Sequence, residues 1–528
     1  MRDSNKERSQ PMDNQHLPDQ PENPWSVYDP PKTATACDGF LTEKREAVFG
    51  LVILIFGLCL GNCFVFGGMN LGFAISLLGC SAAAVTYLWR SGHKGSRYSR
   101  ALLVLSAFII LGLARTDDQF VKFVMGCFLF MGMNLGLCGM AGRNLWDPAS
   151  VYSLLDPFRC FFGLGFGKMG RAFRGIREAI REGGETVKKG SAVLMGAVIA
   201  IPILVIMIPL LIRSDAAFEG LLDLLPEFNF FELLATVVFG GTAACILYTR
   251  TVALVHNGPD LPRKQPEHKG LHPLTMNTAL LAVCTLYVVY LLSQLAYFVG
   301  GFSGILPKGY SLAEYARRGF FEMAWLCVIN LSVMILGISL TRKQEGKAPL
   351  TTRIACLFIG LVTLFFVFAA GAKMLLYIGS YGMTRLRILT MVIMVFLGLT
   401  TATVSIWLFL PKLPYMKVVL ITALVMGGIV LWADVNTVVA RYNVEAYLSG
   451  QLASVDVDHL SGLGSGAVPY LDQLAREAKD PFIREYAENV LRNWWIGNAD
   501  LRAWNFTDWI ARDILEQWPW SGDSVPHS

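Results

Sequence analysis

Four short polar segments interrupt an otherwise apolar chain, and they hold the residue types that could do chemistry. They read SDAAFEGLLDLL at 214–225, EYARRGFFEM at 314–323, AKMLLYIGSYGMTRLRILT at 372–390 and WADVNTVVARYN at 432–443. Arg318 and Glu322 are four apart and can pair on one helical face. Asp434, Val438 and Arg441 also share a face. Gly379 and Gly382 predict a break between Tyr377 and Arg385, so that Arg385 and Arg387 open the next helix. A helix N-terminus disfavours cations. Their position therefore calls for an acidic partner or a bound anion, and Asp434, Glu322 or Asp215 could be that partner. The candidate binding residues are Arg317, Arg318, Glu322, Tyr377, Tyr381, Thr384, Arg385, Arg387, Asp434, Asn436 and Arg441. Such a set suits an anionic or zwitterionic group. Two plainer readings compete with it: an ion-paired clasp that locks helices together, and snorkelling of Lys373, Arg385 and Arg387 to lipid headgroups.

The elements that must position these residues follow from composition. Of 528 residues, 54% are apolar or aromatic and 16% are charged, against about 25% charged in a soluble chain. Mean hydropathy is +0.48. These values exclude an ordinary soluble enzyme, a disordered chain and a collagen-like fibre. The expected fold is all-α: a polytopic membrane protein with a small helical, soluble C-terminal part. A spanning helix needs about 20 apolar residues. Eleven runs qualify: 47–67, 70–89, 100–114, 120–140, 191–212, 231–250, 275–299, 318–340, 352–376, 386–410 and 418–440. The third is short, and Lys122 falls inside the fourth. Residues 1–46 are polar with six Pro and read as a disordered tail. The chain then divides into helix groups 47–140 and 191–440, an interfacial segment 141–190 and a soluble part 441–528.

Lys and Arg set the orientation. With the N-terminus inside, inner segments hold 29 of them and outer segments hold 8. All four polar segments then fall on the outer face. The C-terminal part, 442–528, has 6 Lys and Arg against 13 Asp and Glu and lies outside. In the inner segment 141–190, Lys168, Arg171, Arg174, Arg177 and Arg181 recur every three or four residues among Phe162, Phe166, Met169, Phe173, Ile176 and Ile180. One basic and one apolar face suit an anionic lipid surface. A solvated charged face is the plainer alternative, and the stripe is too short to suggest nucleic acid.

Three of the polar stretches carry a resemblance. YARRGFFE at 315–322, LYIGSYGMTRLR at 376–387 and NTVVARYN at 436–443, with the stretch around Asp458 and AVPYL at 467–471, resemble a bacterial family of multi-pass membrane proteins. It is the domain of unknown function 4173, related to 4153. The likeness covers roughly 200–475. Met383 stands in place of the family's Leu, and Gly466 in place of an acidic residue. The resemblance implies an integral protein of the bacterial envelope, here the cytoplasmic membrane, and implies no activity.

The C-terminal part reads as short amphipathic helices at 467–478, 481–495 and 506–518. It holds Trp494, Trp495, Trp504, Trp509, Trp518 and Trp520, half of the chain's 12 Trp. They suit a small aromatic core, a docking surface or an interfacial belt. The 11 Cys lie mostly in apolar runs and form neither a disulfide framework nor a metal set. No phosphate loop, HExxH or catalytic triad can be assembled, so no cofactor or metal is expected. Three functions stay open. One is transport or lipid handling through the outer polar cluster. Another is a membrane-anchored sensor or docking protein that uses its C-terminal helices for a protein partner. The third is a membrane-embedded transferase with Asp434 or Glu322 as general base.

Overall fold

The computed structural model describes residues 39–167, 169, 207, 230–256, 270–302, 320–342, 348–494, 496 and 500–518. Most of the N-terminal tail, the basic stripe Lys168, Arg171, Arg174, Arg177 and Arg181, the run 191–212, and Asp215, Arg317 and Arg318 lie outside the described residues. Within them every regular element is helical, apart from one isolated bridge between Leu271 and Thr341.

Long apolar runs without internal Pro make long helices, because lipid leaves the backbone no partner but itself. They are α1 (Gly39–Asn62, extended by a π-helical turn, Cys63–Gly67), α2 (Leu71–Arg90), α3 (Arg97–Gly112) and α4 (Gln119–Met140). Further along the chain come α5 (Gly241–His256), α6 (Pro273–Phe302), α7 (Phe320–Leu340), α8 (Leu350–Tyr381), α9 (Arg385–Phe409) and α10 (Tyr415–Ala433). Nine helical segments among the described residues are long and apolar enough to cross a membrane. The protein is an integral, multi-pass membrane protein. Nine of the eleven expected spans thus have a counterpart. The third expected span is helix α3, at 16 residues shorter than a full crossing.

Three boundaries differ from expectation, two of them for a local reason of backbone conformation. The first helix begins at Gly39, ahead of the apolar run. Helix α8 runs through Gly379 and stops at Gly382, whose φ of 73° only glycine adopts freely. The last span ends at Ala433 rather than 440. Asp434 turns the chain with φ 51°, and a new helix, α11 (Val435–Leu448), follows.

The C-terminal helices are α12 (Val457–Ser461), α13 (Val468–Glu477), α14 (Pro481–Arg492) and α15 (Phe506–Glu516). Side chains of Asp456, Asp480 and Asn505 cap α12, α14 and α15. The buried apolar residues form three clusters. One joins α1, α2 and α5 around Ile53, Leu88 and Leu254. Another joins α6 to α9 around Cys327, Ile359, Phe366 and Val404. There Tyr287 donates to Asn330 at 2.5 Å and Asn330 to Thr363 at 3.0 Å, the polar glue that helices in lipid use. The third runs without interruption from α3, α4 and α10 (Ile109, Leu129, Leu431) through α11 into α12 to α15 (Leu460, Leu471, Leu491, Ala511). The C-terminal helices therefore share one core with the membrane bundle.

Candidate functional site: a buried polar joint

Five chain turns meet at one end of the bundle: the α3–α4 loop, the α8–α9 corner, the α10–α11 break, the turn before α13 and the start of α15. Their polar residues are turned toward one another. Asp434, 1% exposed, accepts from Thr116 Oγ1 at 2.6 Å and from Thr437 Oγ1. Asp118 caps α4 by accepting from the Phe120 and Val121 amides at 2.9 and 3.1 Å. Its other oxygen receives Arg385 Nη1 at 3.2 Å. Asn443 clasps the α8–α9 corner, accepting from Met383 N at 2.7 Å and donating to Met383 O at 2.8 Å. Thr384 caps α9. Arg387 donates to the Tyr381 and Gly382 carbonyls, satisfying the end of α8, and lies 4.1 Å from the centre of the Tyr377 ring.

Lys122 is the centre of the charge distribution. It is fully buried and donates to Asn70 Oδ1. The charges of Asp117, Asp508, Asp118 and Asp434 act on it, and Asp118 is also the ion-pair partner of Arg385. Asp117 accepts from Ser465 N at 2.9 Å, while its Oδ1 is buried with no hydrogen-bond partner. Burial, and then the neighbouring carboxylates Asp434 and Asp508, push the Asp117 carboxyl up to about 6. Arg115 stands over the Phe506 ring, 4.6 Å from its centre, and Phe506 N donates to the Ala114 carbonyl at 2.8 Å.

The expected site residues divide accordingly. Thr384, Arg385, Arg387, Tyr377, Tyr381, Asp434 and Asn436 gather at this end of the bundle, and both oxygens of the buried Asp434 accept from threonine hydroxyls. Among the described residues the acidic partner of Arg385 is Asp118, rather than Asp434 or Glu322, because the α3–α4 loop reaches the start of α9; Asp215 lies outside the described residues. Arg441 pairs with Glu445 one turn along, at 2.8 Å. Glu322 is exposed at the start of α7. Asn436 is buried with an unpartnered Oδ1. Sequence reasoning missed Asp117, Asp118 and Thr116. Lys122 is the signal that points to them, since an ionisable residue inside a span requires partners at that depth.

Two substitutions measure the joint. Asn443→Ala leaves both backbone groups of Met383 without their partner in a half-buried corner. It should lower stability by about 2–4 kcal/mol, read as the unfolding midpoint in detergent, and an unchanged midpoint would contradict the clasp. Arg385→Gln should cost under about 1 kcal/mol, because a half-exposed ion pair contributes little. A loss as large as that of Asn443→Ala would mean Arg385 carries more than this pair.

Gly466 also acquires a reason. A Cβ there would lie 2.6 Å from Thr437 Oγ1 and 2.9 Å from Asp434 Oδ2. An acidic side chain in its place would meet the Asp434 carboxylate, so glycine goes with a buried Asp434.

The model of a family described as a domain of unknown function, DUF4153, matches residues 100–474, from α3 through most of α13. No curated protein and no solved structure matches the chain. The match takes in the α3–α4 loop, the α8–α9 corner, the α10–α11 break and the turn at 464–467. The joint is thus built almost wholly from the matched stretch, and the chain belongs to the DUF4153 family.

Proposed function

We propose that this protein is a membrane-anchored sensor or docking protein. In this reading its C-terminal helices meet a ligand or protein partner, and the buried joint passes the event to the membrane bundle. The observation that carries it is the inward turn of the polar cluster. Asp434, Asp118, Asn443, Arg385 and Arg387 are engaged with groups of this chain, whereas an open groove of about 390 Å³ lies on the C-terminal helices. Ser461, Tyr486, Asn489, Val490, Asn493 and Trp494 line it. Hydroxyl, amide and aromatic groups together suit a hydrogen-bonding partner. The excess of Lys and Arg in the opposite loops supports an extracytoplasmic groove in a bacterial cytoplasmic membrane. The basic stripe at 168–181 then belongs to the inner, anionic lipid surface.

A photo-activated cross-linker at Asn489 in intact cells tests the reading. One specific adduct is expected. It should be lost in Asn493→Ala and kept in Arg385→Gln. An empty groove, combined with fast hydrogen exchange of the amides around Asp434 and Asn443, would favour a water-filled site at the joint. Transport or lipid handling would then replace the sensor. Lys122 is what favours that second reading, since buried ionisable groups in a span mark ion or proton paths.

A further inference from the structure

We infer that the C-terminal segment 500–509 is itself a lipid-contacting element, with Leu501 and Trp509 inserted in the headgroup region beside α1, α2 and α4. This surface is separate from the groove and does not depend on the function proposed above.

The depth of this segment is fixed by what it touches. The main chain of Leu501 and Arg502 lies in the corner where α1 ends and α2 begins. A Cβ on Gly67 would sit 2.4 Å from Arg502 O, and one on Gly72 would sit 3.1 Å from Arg502 Cα and 3.5 Å from Leu501 O. Gly67 is the last residue of a membrane-spanning segment, and Gly72 lies in the first turn of another. The Leu71 amide donates to Trp504 O at 3.0 Å, which stitches the segment across the α1–α2 corner. Phe506 N is bonded to Ala114 O just after α3, and one turn later comes Trp509. Residues 501–509 are therefore held at the level where the spans meet headgroups.

The polar and apolar side chains at this level separate as an interfacial element requires. Arg502 turns inward, donating to Glu232, to Asp500 at 2.5 Å and to Asn62 at 3.4 Å. Leu501 and Trp509 turn outward, at 74% and 53% exposure. Moving the exposed area of either side chain from water to an apolar surrounding is favourable, by about 25 cal/mol per Å². Lipid is the occupant already present at that height. On the same corner Phe64, Val65 and Phe66 of the π-helical turn are exposed, as are Phe120 and Phe123 in the first turns of α4. Leu501 and Trp509 continue the apolar surface that the spans already give to the bilayer. Trp is also the residue enriched at such boundaries, where its ring is apolar and its N–H is wet.

The test places an environment-sensitive fluorophore on a single cysteine at Leu501→Cys, Trp509→Cys or, as the water-facing control, Asn489→Cys. The background lacks other cysteines and retains its helical circular dichroism. The protein is reconstituted in phosphatidylcholine–phosphatidylglycerol nanodiscs, with or without lipids brominated along the acyl chain. Positions 501 and 509 should emit to the blue of position 489, lose intensity with brominated lipid and resist aqueous iodide, while position 489 shows the reverse. Iodide quenching of 501 and 509 equal to that at 489 would overturn the inference. Shielding of both positions from iodide and from brominated lipid would overturn it too, since protein rather than lipid would then cover them.

Discussion

Replacing Lys122 with Met should lower stability at neutral pH by about 3–5 kcal/mol, the range for removing one partner from a buried charge set. Met conserves length and apolar stem, so little packing is lost. What is lost is the positive charge that offsets the charges of Asp117, Asp508, Asp118 and Asp434. The deficit should depend on pH, with a sign that follows from Asp117. Its carboxyl is raised from 3.8 to about 6, so the folded protein prefers the protonated form. A raised acid contributes stability below its unfolded value, and that contribution is lost as pH rises through the folded value. In the wild type the loss falls between about pH 4 and about pH 6. Without Lys122 the Asp117 carboxyl moves higher still, and the loss extends upward. Lys122→Met should therefore be closest to wild type in mild acid and furthest from it in mild alkali. Adding Asp117→Asn should restore part of the deficit at neutral pH, because the amide still accepts from Ser465 and carries no charge. Unfolding midpoints of the four proteins, at several pH values in one detergent, form a double-mutant cycle. A deficit that is constant with pH and additive with Asp117→Asn would mean that Lys122 serves packing and that the charge reading is wrong.

Most of the fold is legible in the sequence, because lipid imposes a simple rule. A run of about 20 apolar residues must become a helix, and nine such segments do so. The C-terminal helices are equally legible. Pro469 and Pro481 stand in the first turns of α13 and α14, Asn505 caps α15, and each helix repeats its apolar residues at helical intervals. The joint is not legible in the same way. Arg385 announces the need for an anion, but its partner Asp118 lies 267 residues away, and charge alone does not choose among the chain's carboxylates. Gly379 and Gly382 look alike in composition, and only the clasp of Asn443 on Met383 fixes the break at the second. The turn at Asp434 carries no Gly or Pro signal. It exists because the carboxylate is held by Thr116 of a distant loop. Lys122 is visible as one charge in an apolar run, but the four acids that explain it come together only in three dimensions. Segmental features depend on neighbours in sequence, whereas the joint depends on which of five turns share one end of the bundle.

Asp434→Ala and Asp434→Asn should separate by about 2–3 kcal/mol at neutral pH, with alanine the worse. Alanine removes both acceptors, leaving the buried hydroxyl of Thr116 and the half-buried one of Thr437 without the carboxylate they share. It also occupies a positive-φ position, 51°, which costs a residue with a plain Cβ about 1–2 kcal/mol. Asparagine keeps one acceptor oxygen and is among the few residues that adopt such a φ readily. The amide has a second consequence. The Asp434 charge is one of the causes that raise the Asp117 carboxyl, so removing it should bring that group down toward 3.8 and move the pH-dependent loss to lower pH. Asp434→Asn should thus recover at neutral pH some of what it loses in hydrogen bonding, and alanine should gain the same electrostatic relief without the bond or the backbone. The two unfolding midpoints, followed from mild acid to neutral pH, read both effects at once. Equal losses in the two variants would mean that neither the second hydroxyl contact nor the backbone turn depends on the Asp434 side chain, and the joint would have to be held by its apolar core alone.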